Sequence, residues 1–133
     1  MQAKYAPKIQ NAISKAISFV DQILANQKDK PEIMKQALWH APEEAEYAAA
    51  ILSLTHGFAD LDPELKEVGL KKMTMNEQAS LARTLLQSSL ELLSSDPKLS
   101  YEKLRYAVQV LRRIQMTAGK RVTGTRATGP TRS

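Results

Sequence analysis

An all-α fold, a compact bundle of five or six helices with a basic C-terminal tail, follows from three features of the sequence. Apolar residues recur at helical spacing through most of residues 1–117. No stretch of useful length alternates apolar and polar residues as a strand does, and no internal repeat interrupts the pattern. Glycine is scarce, with Gly57 and Gly69 the only two outside the tail, while Pro31, Pro42, Pro63 and Pro97 fall where the periodicity breaks. Helices joined by short turns are the consequence.

The first helix is expected from about Pro7 to Asn26, where Ile9, Ala12, Ile13, Ala16, Ile17, Val20, Ile23 and Leu24 fall within one half of a wheel. The polar run Asn26-Gln-Lys-Asp-Lys ends it. Pro31 suits a first helical position, because the donor it lacks would be unpaired there anyway, and a short second helix then runs to Trp39. Pro42 disfavours helical geometry at Ala41, so the second helix should stop near His40 and a third should open at Pro42-Glu43-Glu44. That acidic first turn suits the helix dipole, which accounts for Glu43, Glu44 and Glu46 without any acid–base chemistry. Ala45, Ala48, Ala49, Ile51 and Leu52 give the third helix its apolar side, and Gly57 ends it with a left-handed cap.

Asp62-Pro63-Glu64 repeats the cap-then-proline start and opens a short segment through Leu70. Thr74-Met-Asn-Glu77 has the form of a capping box, with Asn76 as a competing cap, ahead of a helix from about Asn76 to Ser94. Its leucines spread over half the circumference, which places it at the centre of the bundle. After the turn Ser94-Ser95-Asp96-Pro97, Ser100 caps a last helix that runs to Thr117 with Tyr101, Leu104, Ala107, Val108 and Leu111 inward. Arg105, Tyr106, Gln109, Arg112, Arg113 and Met116 fall on its other side. From Ala118 the apolar periodicity stops, so residues 118–133 are expected to form a flexible tail.

At 133 residues the chain makes one domain, large enough to bury a core without crosslinks. It has no cysteine, which excludes disulfides, thiolate metal sites and cysteine nucleophiles. No apolar run approaches the length of a membrane span, and the start lacks the apolar segment of a secretory signal, so a cytoplasmic protein without membrane contact is expected. Phosphate-binding, nucleophile-elbow and dinucleotide-binding glycine motifs are all missing. His40 and His56 have no second ligand at helical spacing, so neither a metal nor another cofactor is expected, and nothing spells out an enzyme. His56 reads as a dipole partner at a helix C-terminus, and Trp39 as a core anchor in preference to a nucleotide platform.

Charge is what the sequence distributes most unevenly. From Lys98 onward nine cations face one anion, a balance of +8, whereas residues 1–97 carry ten cations and thirteen anions, −3, which together give the stated +5. A single-sign end of this kind points to a polyanion, most often nucleic acid. Arg105, Arg112 and Arg113 with Lys120, Arg121 and Arg126 can grip phosphates, Gln109 lies among them, and Tyr106 can take a stacked base or sugar. Lys71, Lys72 and Arg83, before and on the preceding helix, offer a second phosphate contact. A rival reading is a structural adaptor whose basic end docks on an acidic protein.

In outline the whole chain resembles the small subunit of CRISPR RNA-guided surveillance complexes of the Cascade type, and is similar to the C-terminal helical domain of their large subunit. The features that carry the resemblance are the length, the all-helical pattern, the lack of cysteine and the face Arg105, Tyr106, Arg112, Arg113 with Lys120, Arg121 and Arg126. It implies a non-catalytic role in antiviral defence, with several copies stacked beside other subunits of the effector complex. The basic face would then hold the backbone of the guide RNA paired with its target, or the displaced DNA strand, while base pairing supplies sequence specificity.

Overall fold

The computed structural model describes residues 5–25, 31–58 and 72–128, with side chains for all of these except 31 and 118–128. The described residues form four helices, α1 (Ala6–Ala25), α2 (Pro31–His56), α3 (Met75–Leu92) and α4 (Pro97–Thr128), and contain no strand. The fold is all-α, as the sequence predicts. Its helix count differs from five or six for a definite reason: α2 passes through Pro42, so the expected second and third helices are one. The helix expected over Asp62–Leu70 lies outside the described residues.

A proline inside a helix removes the donor that the carbonyl four residues earlier would use, at a cost of about 3 kcal/mol. Here that carbonyl belongs to Leu38, and α4 supplies the missing donor: Gln115 Nε2 bonds Leu38 O at 3.3 Å. Gln115 is itself held, because Arg112 Nη1 donates to its Oε1 at 3.0 Å while Arg112 Nε and Nη2 fork onto Glu46 at 3.2 and 2.6 Å. Pro42 is buried, so its ring contributes apolar surface where its nitrogen contributes no bond. Local geometry favours a break at Ala41, and tertiary bonds override it.

Each helix packs on two others: α1 on α2 and α3, and α4 on α2 and α3. The expectation of a central α3 is therefore corrected, since its broad apolar surface serves two neighbours as every other helix in the ring does. Leu38 meets Gln115, Glu46 meets Arg112 and Phe58 stacks near Tyr101 at 5.3 Å, so α2 and α4 run antiparallel. Ser100 Oγ bonds Ser89 O at 2.6 Å across the tight α3–α4 turn, making those two antiparallel as well. It follows that α2 and α3 run the same way, with the end of α2 and the start of α3 at opposite ends of the bundle.

The core is shared by all four helices. Ile9, Ile13, Val20 and Ile23 of α1 are fully buried against the alanine face Ala37, Ala41, Ala45 and Ala48 of α2, whose small side chains let the two backbones approach. From the other side come Leu86, Leu93, Leu104, Leu111 and Ile114. Truncating any of these large side chains to alanine should cost about 2–5 kcal/mol.

The helix ends follow local chemistry. Thr74 and Glu77 form the reciprocal capping box, with Thr74 N to Glu77 Oε1 at 2.8 Å and Glu77 N to Thr74 Oγ1 at 3.1 Å, so α3 starts at Met75. Gly57 takes a φ of +71° and Phe58 N returns to Ser53 O at 3.0 Å, a left-handed close that a side chain at 57 would strain. The cap of α4 is Asp96, whose Oδ1 accepts from Leu99 N at 3.1 Å with Pro97 in the first turn. Ser100, expected in that role, is buried in the α3–α4 seam. No helix among the described residues is long and apolar enough to cross a membrane.

The Pro42 account is checked by a double-mutant cycle in chemical denaturation. Gln115→Ala should cost about 1–3 kcal/mol, because it leaves a buried carbonyl unpaired. In a Pro42→Ala background, where Leu38 O regains its own helical donor, the same change should cost close to nothing. Equal costs in both backgrounds would mean that Gln115 does not compensate for the proline. Separately, Gly57→Ala should destabilise by about 1–2 kcal/mol through backbone strain alone, since nothing lies within 4 Å of an added Cβ.

Candidate nucleic-acid interface

The described residues expected to grip phosphate do not all share one face. Arg105, Gln109 and Arg113 lie one turn apart along α4 and share one face. Arg112 is turned sideways toward α2 and spends its guanidinium on Glu46 and Gln115. Arg83 lies on the α1–α3 seam, where its Nε bonds Asp21 Oδ1 at 2.6 Å, and so does not join the α4 face. The side chains of Lys71, Lys120, Arg121 and Arg126 are outside the described residues. Lys72 is exposed just ahead of α3, at the end of the bundle where α4 passes Gln115.

Between Ser100 and Gln115 every residue of α4 is buried or half-buried. Arg105 and Arg113 therefore lie along the surface with partly covered stems, in the manner of long cationic side chains on apolar ground. The Nε of each is buried and has no hydrogen-bond partner among the described residues. Buried donors of this kind are normally satisfied, and a guanidinium is satisfied best by paired oxygens on a carboxylate or phosphate. Gln109, between them, already has a polar contact. Tyr106, expected to project outward, is half-buried and packs partly against the core.

Acidic residues in the middle of α2 also need a new account. With no helix start at Pro42 there is no first-turn dipole for them to complement. Glu46 pairs with Arg112, and Glu43 Oε1 lies 3.3 Å from His40 Nδ1 in an exposed pair whose imidazole sits 5.3 Å from the ring of Phe19. His56 lies at the C-terminus of α2, with Nδ1 3.3 Å from Leu52 O and its ring stacked on Phe58 at 5.4 Å. No group of three or more potential metal ligands occurs among the described residues.

Sequence reasoning placed Trp39 in the core, yet it is 59% exposed, and Tyr47 and Leu54 are exposed as well. The signal was present once α2 is read as continuous. These residues recur at helical spacing on the side opposite Ala41, Ala45, Ala48 and Leu52, and splitting the helix at Pro42 separates Trp39 from the other two.

Both ion pairs are more than a third exposed, so solvent screens them and each contributes at most about 1 kcal/mol. Arg83→Ala should change stability by less than about 1 kcal/mol, which thermal melts check, and any affinity for nucleic acid should stay within about twofold in parallel titrations, since this guanidinium is held on Asp21. Compared with protein-family models, with curated proteins and with solved structures, the chain matches none.

Proposed function

We propose that the chain is a non-catalytic nucleic-acid-binding protein, which holds a sugar-phosphate backbone through the outer face of α4 and the basic residues Lys120, Arg121 and Arg126 near its end. The observation that supports this most directly is the pair Arg105 and Arg113. They share a face and make no ion pair among the described residues. Eight residues of helix separate them by about 12 Å, far enough apart to engage two different phosphates of one strand. Phosphate oxygens would satisfy both guanidinium groups and release counterions. The +8 balance from Lys98 onward supplies the surrounding field.

The narrower form of the reading, a subunit of an RNA-guided antiviral effector complex, rests on the resemblance in sequence outline. In that setting the protein contacts the guide–target heteroduplex or the displaced strand, beside other subunits and further copies of itself. It reads charge and shape, and the guide reads sequence.

A second reading, an adaptor docked on an acidic protein, is favoured by one contact: the fork of Arg112 on Glu46 is the same guanidinium chemistry satisfied by a carboxylate. Native co-purification separates the two, because bound nucleic acid raises the ultraviolet absorbance ratio of the complex and an acidic protein does not.

Fluorescence anisotropy with labelled single-stranded and duplex nucleic acid over a range of salt tests the proposal. Arg105→Glu with Arg113→Glu should weaken binding and lower the magnitude of the salt slope by about 1.4–1.8, from two phosphate contacts at about 0.7–0.9 each. Arg112→Leu should lower the melting temperature and leave the slope in place. An unchanged slope in the double variant would remove the phosphate role from α4.

A further inference from the structure

The outer face of α2 presents a second surface, opposite in character to that of α4. Trp39, Tyr47 and Leu54 are 59%, 51% and 82% exposed, and Glu43 and Ala50 complete the same row. Residues 39, 43, 47, 50 and 54 follow the spacing that lines one side of a helix, over about 22 Å. The core-facing alanines lie on the other side, so these large side chains do nothing for the bundle. Across the α2–α4 seam Met116 extends the apolar surface: it is 58% exposed and follows directly on Gln115, which is bonded to Leu38 beside Trp39. Exposed rows of this size mark interaction sites, and Trp and Tyr are the residues most often found at their energetic centres.

Charge along this face is acidic. α2 carries Glu32, Glu43, Glu44 and Glu46 against Lys35 alone, and Glu46 is already neutralised by Arg112. Glu32 and Glu43 are exposed and lie on the apolar row itself. We propose that this face docks an amphipathic helix of another protein whose apolar residues are flanked by lysine or arginine. Such a helix lays its apolar side along Trp39, Tyr47 and Leu54 and meets the glutamates with opposite charge. A second copy of this chain fits less well. Seated antiparallel on the same row, it sets Trp39 against Leu54 and Glu43 against Ala50, about an axis between Glu46 and Tyr47. That axis brings Glu43 and Glu44 of both chains within about two turns of one another, where like charges repel.

Trp39 is the only tryptophan in the sequence, so its fluorescence reports on this face alone. The probe is a synthetic peptide of about 18 residues, five helical turns, with leucine at helical spacing and lysine elsewhere, set against a peptide that keeps the leucines and replaces lysine by glutamate. With the full chain, the lysine peptide should move Trp39 emission to shorter wavelength, saturably and less strongly as salt rises. The glutamate peptide should leave it unchanged. Leu54→Lys and Tyr47→Lys, exposed positions whose circular dichroism and melting should match the parent, should each weaken the lysine peptide by about tenfold or more.

Four results would overturn the proposal: no shift with the lysine peptide, equal binding of both peptides, undiminished binding to Leu54→Lys, or a shift that appears with protein concentration alone together with a dimer's mass in sedimentation. None of these readouts depends on Arg105 or Arg113, so the reading of α4 stands or falls separately.

Discussion

The hydrogen-bond chain from Glu46 through Arg112 and Gln115 to the carbonyl of Leu38 is the constraint on which the arrangement of this bundle rests. Pro42 takes a donor away from α2, and α4 returns one from a side chain rather than from the backbone. The repair sets the register between the two helices, because Gln115 reaches Leu38 only if α4 runs antiparallel and at the level it does. Each link is modest: a neutral amide bond contributes about 1 kcal/mol and a half-exposed ion pair no more. The remainder of the proline's cost is offset by burial, since the same register seats Leu104, Leu111 and Ile114 in the core.

One consequence is a division of labour among the arginines. Arg112 and Arg113 are neighbours in sequence, but a rotation of about 100° per residue sends one into the seam and leaves the other on the outer face. Seam cations hold helices together, as Arg112 does on Glu46 and Arg83 does on Asp21. Arg105 and Arg113 form no ion pair among the described residues, and the Nε of each has no acceptor there. The positive charge of the C-terminal part is therefore smaller in effect on the face of α4 than a count of basic residues implies, and better defined.

Much of the fold was legible in the sequence, because helical periodicity and capping chemistry are local. The capping box at Thr74, the left-handed close at Gly57 and the inward face of α4 all followed from residues a turn apart. What misled was also local: proline at 42 and the acids after it read as a helix start, and only a contact 77 residues away in the chain, from Gln115, shows otherwise. The same misreading hid the row on α2, since Trp39 belongs with Tyr47 and Leu54 only on an unbroken helix. Tyr106 was placed outside because the wheel of α4 was drawn with one apolar stripe. With Val110 and Ile114 also buried, the buried arc is wider than that stripe, and Tyr106 at its edge packs inward.

The position of Tyr106 bears on what kind of recognition α4 can carry out. Single-stranded binders without sequence preference commonly combine cationic contacts with open aromatic platforms, and stacking contributes about 1–3 kcal/mol per base. Tyr106 is half-buried against the core, so it leaves less of its ring for stacking than an open platform does. The main charged groups on that face are the guanidinium groups of Arg105 and Arg113, and guanidinium groups meet phosphates, which are the same under every base. On the proposed reading, binding through α4 is consequently indifferent to sequence and strongly dependent on salt. Such a surface suits a protein that steadies a strand whose sequence is read by something else.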